Sequence, residues 1–289
     1  MCLGQIVVTS YNPLKQITAV WAYCREQAVR EQIKIKTPDE IQLMREACRV
    51  TATILDEVGE LIKPGITTDK INTFVHKRTI ELGAIPSPLN YKGFPKSVCV
   101  SPNDVICHGV PSPFTVLNSG DIVNVDVTSY KNGFHGDSSR MYFVGGASAC
   151  SEDARELVAV AHQALFVGID VVKPGKRIGD IGAAIQKFID SLGRGYGIVK
   201  DYTGHGLGRD FHEHPVVVHT ARAGTGALIR PGMTFTIEPM INIGSYKTQL
   251  SKIDGWTVRT VDGSLSAQWE HTVVVTNSGC EILTLSARP

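Results

Sequence analysis

The chain has 289 residues, 43% of them hydrophobic, and its 29 basic and 28 acidic side chains leave a formal net charge of +1. That size and apolar content suit one large domain or two small ones, and the interspersed charge leaves no electrostatic footprint for nucleic acid or an anionic membrane. No apolar run reaches bilayer-spanning length, and seven cysteines without pairing rhythm, CxxC motif or secretory signal point to reduced thiols in a soluble, cytoplasmic protein.

Residues 1–34 read as an N-terminal extension. Ile17 to Arg30 has a brief helical stripe without a clear partner segment, and its acids make it a poor transit peptide. The main domain is expected over 35–289. It opens at Thr37-Pro38-Asp39-Glu40, an N-cap threonine, a proline at the first helical position and a glutamate placed for a capping box. Ile41, Met44, Ala47, Cys48, Thr51 and Leu55 then predict a helix to about Gly59.

An internal repeat follows. Lys63-Pro64-Gly65 and Lys173-Pro174-Gly175 each precede a helical pattern, ending at Leu82-Gly83 and Leu192-Gly193, with the same offset of 110 at both ends. Downstream, Ser119 to Asp126 aligns with Pro231 to Glu238 at an offset of 112, and both segments are a turn leading into a strand that ends in an acid. Two halves related by a pseudo-twofold axis would each deliver a carboxylate to the middle. Long strands flanked by helices, without βαβ alternation, predict an α+β domain with a curved, mostly antiparallel sheet.

Five residues in apolar or glycine-framed segments read as one metal site: Asp126, Asp137, His205, Glu238 and Glu270. Each charge is costly there unless something pairs with it. The Lys131-Asn132-Gly133 turn predicts a hairpin returning Asp137 beside Asp126. Taken singly, either acid also fits an ordinary strand residue. Four carboxylates and one imidazole are too many for one tetrahedral zinc and suit a two-metal hydrolase, most simply a metallopeptidase. His108 and His212 are candidates to stabilise an oxyanion and guide protons. No Gly-x-Ser-x-Gly elbow is present, and Cys107 beside His108 is a poor thiolate–imidazole pair.

Tyr91 to Cys99, Cys107-His108-Gly109, Asp121 to Asp137, Thr203 to His212, Phe235 to Met240, Asp254 to Val258 and Gln268 to Thr272 together resemble the type I methionine aminopeptidases, a branch of peptidase family M24, over about Thr37 to Leu285. The resemblance implies the pita-bread fold. It makes Asp126 a ligand of one divalent cation, His205 and Glu238 ligands of a second, and Asp137 and Glu270 bridges between them. The metal is left open among Co, Mn, Fe(II) and Zn. Glu238 would be the proton carrier for a water attacking the first peptide bond, with His108 and His212 contacting the substrate. Tyr91, Phe94, Cys99, Phe211 and Trp256 would line the methionine side-chain pocket. The implied substrate is a nascent polypeptide beginning with Met and a small, uncharged second residue. A monomer is expected, and ribosome docking is left open. The short interval from His205 to Glu238 lacks the long insertion of type II enzymes. The nearest rival is a proline-specific pita-bread peptidase, though such relatives usually carry a large N-terminal domain; a non-catalytic binding module should have lost ligands.

Overall fold

The computed structural model describes residues 33–286, so the short helix expected within Ile17 to Arg30 lies outside the described residues. The helix expected after Thr37 runs from Pro38 to Leu61 (α1). Its capping box is closed in both directions: the Thr37 hydroxyl accepts the Glu40 N–H at 3.3 Å, and Glu40 Oε2 accepts the Thr37 N–H at 3.0 Å. One face of α1 buries Met44, Cys48, Ile54, Leu55 and Val58 completely. It lies on the long hairpin of Ile122–Lys131 and Phe134–Phe143. Gly136 permits that approach, because a methyl group there would collide with the backbone of Ala47 and Cys48. The Thr51 hydroxyl donates to the Gly136 carbonyl at 2.7 Å.

The repeat is present in three dimensions. Helix α2 spans Thr68–Glu81, α3 spans Glu152–Asp170 and α4 spans Ile178–Ser191. Helices α2 and α4 each have 14 residues, and α4 starts and ends 110 positions after α2. The residue before each forms an isolated antiparallel bridge, Thr67 with Val116 and Arg177 with Leu228. The strands Ile122–Lys131 and Thr234–Ile237 begin 112 positions apart, and each is an interior strand of its sheet. All strand pairings among the described residues are antiparallel.

The antiparallel strands expected from the sequence are hydrogen-bonded in four groups. Thr234–Ile237 and Met240–Asn242 belong to different sheets, and so do their antiparallel neighbours His271–Val275 and Ser266–Gln268. Pro239 has no N–H to give the ladder, which gives a physical reason for a break at Glu238-Pro239. In the first half Val123, Val125 and Val127 pack into an apolar core with Ile54, Leu55, Ile71 and Val75, leaving the alternate strand positions to face the other way. Among the described residues no helix is long and apolar enough to cross a membrane.

Candidate metal centre and active site

The hairpin register pairs Asp126 with Ser139 and Thr128 with Asp137, so the two acids are diagonal neighbours on one face. The Thr128 hydroxyl donates to Asp137 Oδ1 at 2.7 Å. Glu238 and Glu270 occupy the interruptions between the paired strands of the second half, where Ile237 opposes His271 and Met240 opposes Gln268. His205 sits on Gly204–Gly206, beside Thr234–Ile237. Its backbone N–H donates to the Thr236 hydroxyl at 3.0 Å, and that hydroxyl donates to Glu238 Oε1 at 2.8 Å. Gln268 Nε2 holds the other Glu238 oxygen at 3.1 Å. Nδ1 of His205 is 3.0 Å from the Gly206 carbonyl. Donation to that carbonyl leaves Nε2 with its lone pair, facing Asp137 Oδ2 at 3.6 Å and Glu238 Oε1 at 3.7 Å.

All five residues line one cavity of ≈ 300 Å³. Ligand atoms of Asp137, His205 and Glu270 lie within 4.8 Å of one another; Asp126 and Glu238 flank that tightest group. The ion pairs of the described residues bring no lysine or arginine to the four acids. Burial pushes the Asp126 carboxyl up to about 7. Burial first, then the neighbouring carboxylates, drives Asp137, Glu238 and Glu270 well above the ordinary range. Buried oxygen donors and a neutral imidazole nitrogen without counter-charge fit hard-to-borderline divalent cations.

The remaining wall is aromatic. Tyr91 lies 4.8 Å from Phe211 and stacks on His212 at 5.2 Å, while Phe94 meets Trp256 edge-on at 5.3 Å. The His205 and His212 rings are 4.1 Å apart, and His108 meets Trp256 edge-on at 6.3 Å. Burial lowers His108 to about 4 and His212 to about 3, so both are neutral imidazoles near pH 7. Cys99 pairs in register with Asp126, and burial holds its thiol well above the ordinary range, making it an apolar lining group rather than a nucleophile.

Residues 42–277 match the family model of metallopeptidase family M24. The chain belongs to metallopeptidase family M24. The methionine aminopeptidase of Rickettsia prowazekii is 49% identical over 256 residues, covering 89% of this chain and 96% of that protein. Its crystal structure superposes with a TM-score of 0.85, over 88% of this chain and 100% of that one. The methionine aminopeptidase from Thermotoga maritima is 40% identical with a TM-score of 0.84, covering 88% of this chain and 99% of that one. Prolidase from Pyrococcus furiosus is 21% identical with a TM-score of 0.68, covering 98% of this chain and 75% of that one, and shares the fold alone. That fold is the pita-bread fold implied by the resemblance, in agreement with the α+β two-halves reading of the repeat, and M24 membership carries divalent-metal binding with it.

All twelve residues expected at the M24 site line the cavity: the four acids and His205, then His108 and His212, and the aromatic and thiol wall of Tyr91, Phe94, Cys99, Phe211 and Trp256. Sequence reasoning passed over others. Thr128, Tyr202, Thr203 and Gln268 also line it, and Tyr202 meets His108 edge-on at 5.4 Å. Thr128 and Thr236 were findable, each standing two places in sequence from an acid of the cluster. Gln268 was not, since its role depends on contact with a strand 30 positions away. His135 stacks on Phe211 at 5.4 Å and is held by Ser87 at 2.8 Å, so it supports the pocket wall from behind.

Proposed function

We propose that this chain removes the amino-terminal methionine from nascent polypeptides whose second residue is small and uncharged. The observation that carries the reading is the chamber of Tyr91, Phe94, Cys99, Phe211 and Trp256 opening onto the acid cluster. A flexible thioether packs well against aromatic edges and a small thiol. Relatives at 49% identity carry the name methionine aminopeptidase, which supports the same assignment.

The donor set supports two divalent cations: Asp126 would hold one, His205 and Glu238 would hold the other, and Asp137 and Glu270 would be available to both. When bound, such cations polarise the scissile carbonyl and lower the pKa of water toward about 7. Glu238 takes the proton of the attacking water at Oε2 and passes it to the leaving amine, its carboxylate kept in place by Thr236 and Gln268. His212, neutral through burial, donates an N–H to the carbonyl oxygen as negative charge develops there. One such donor is worth about 3–4 kcal/mol of transition-state stabilisation. His108 contacts the substrate beside the scissile peptide. A tight site beyond that bond rejects a bulky second residue by steric clash.

Residues 35–289 form the catalytic domain in this reading and 1–34 an extension. Cys48, Cys99, Cys107, Cys150 and Cys280 are free, which supports a reducing, cytoplasmic setting. A panel of Met-Ala-Ser, Ala-Pro-Ser and Met-Pro tests the assignment. Turnover of Met-Ala-Ser is the expected result; cleavage confined to the proline substrates would replace it with a proline-specific peptidase.

A further inference from the structure

The turn Asp254-Gly255-Trp256-Thr257 closes on a single carboxylate. Asp254 Oδ1 accepts the backbone N–H of Trp256 and of Thr257, both at 2.9 Å, and Oδ2 accepts the Thr257 hydroxyl at 2.7 Å. Gly255 makes the turn possible at φ 70, in the left-handed region. The Thr257 hydroxyl also accepts the N–H of Val110 at 3.3 Å, reaching a segment 147 positions away. Val110 is two residues beyond His108. Neither Asp254 nor Thr257 lines the cavity.

His108 needs such an anchor. Its φ of 55 lies in the left-handed region, which a residue with a side chain keeps only when its surroundings impose it. Gly109 is fixed by Ser101 Oγ, which accepts its N–H at 3.2 Å, and by Val100, whose N–H donates to its carbonyl at 2.9 Å. A methyl group on Gly109 would strike the Val100 carbonyl. Val110, tied to Thr257, completes the clamp. A turn cap alone would need only Asp254 Oδ1; the second oxygen and the hydroxyl extend the bonding from the loop of Trp256 to the segment of His108.

We infer that Asp254 and Thr257 are positioning residues, a carboxylate–hydroxyl relay that holds the His108 imidazole and the Trp256 indole in mutual register. This rests on the proposed reaction for its kinetic consequence and on the geometry alone for its structural one. Thr257→Val removes the hydroxyl and keeps the shape; Thr257→Ser keeps the hydroxyl. On Met-Ala-Ser, Thr257→Val is expected to lower kcat about ten- to a hundredfold with KM within about twofold, and Thr257→Ser to stay near wild type. Asp254→Asn, which retains the Oδ1 acceptor, gives a kcat loss of the same kind and carries the test if Thr257→Val does not fold. In histidine-labelled protein, Thr257→Val should shift the His108 ring resonances, and Thr257→Ser should restore them. Unchanged kcat in Thr257→Val, equal loss in both Thr257 variants, or unmoved His108 resonances would overturn the relay. A wild-type protein inert toward Met-Ala-Ser would overturn the proposed function instead, and the resonances would still decide the relay.

Discussion

Glu238 and Glu270 face each other at the point where two paired strands both pass from one sheet to another. Ile237 opposes His271 on one side of that point and Met240 opposes Gln268 on the other. The register is the same on both sides, so the two glutamates are opposed and share a face. Both carboxylates line the same cavity as His205, Asp126 and Asp137. His205 Nε2 and Asp137 Oδ2 are 3.6 Å apart. Two donors each about 2.0–2.2 Å from one cation are separated by about that much.

Asp137→Asn and Glu270→Gln each keep the shape of the side chain and remove its charge. Each should abolish turnover of Met-Ala-Ser and lower bound metal while far-UV circular dichroism stays native. Wild-type activity in either variant would rule out that residue as a shared ligand.

His212→Ala should lower kcat by about 100- to 1,000-fold, the loss expected for one oxyanion donor. KM should change far less. Steady-state kinetics decide it, and a large KM effect with kcat preserved would make His212 a binding residue only.

Without metal, Asp126 contributes stability that falls as pH rises, opposite in sign to the buried His108 and His212. The Asp126 carboxyl titrates at about 7 in the fold, because it is buried, against 3.8 ordinarily. The folded state therefore binds this proton more tightly than the unfolded chain, and stability drops between those two values, by an amount on the order of a few kcal/mol. Relative to chelated Asp126→Asn, which leaves the histidines in place, chelated wild type should lose melting temperature between about pH 5.5 and about pH 7.5, and saturating Mn should reverse the order, since deprotonated ligands bind the cation best. A chelated wild type that gains on the variant over that interval would contradict this.

Lys36 and Glu213 form an ion pair of 2.6 Å with side chains only 4% and 3% exposed. Glu213 also accepts the Asp210 N–H at 3.1 Å, closing the loop that presents Phe211 and His212. Lys34, on the extension side of the expected boundary, pairs with Asp210 at 2.6 Å. Removing one partner of a buried pair leaves the other charge stranded, at about 3–5 kcal/mol. Lys36→Met should therefore lower the melting temperature by about 6–20 °C. The double variant Lys36→Met/Glu213→Leu should recover most of that. An additive double variant would show that the charges are not coupled.

Gly136→Ala places a methyl group against the Ala47 and Cys48 backbone. The expected cost is about 1–3 kcal/mol as α1 is pushed from the hairpin, with weaker metal binding because Asp137 is adjacent. Denaturant unfolding and metal titration measure the two effects. Wild-type values for both would mean that the helix shifts freely.

Local signals were legible where the chemistry is local. The capping box at Thr37 fixed the start of α1 within the sequence itself, and the Asn132-Gly133 turn announced the hairpin that brings Asp137 to Asp126. The repeat disclosed the two halves, because turn and strand patterns survive in each. Glu270 was harder: Trp269-Glu270 carries no proline or glycine, so its segment reads as one continuous strand. The break at Pro239 lies in the neighbouring strand, and only pairing links the two. The anchors Gln268, Glu213 and Asp254 escaped for the same kind of reason, since each acts through partners that only the folded chain brings to it.

The near-equal halves leave each set of chemistry incomplete by itself. Asp126 and Asp137 come before α3, while His205, Glu238 and Glu270 come after it. The only covalent link between the two sets at this point is the stretch entering α3 at its N-cap, Ser151. Cutting the polypeptide there would yield two fragments, each inert alone, whose activity on mixing would report directly on how well the seam reassembles without a tether.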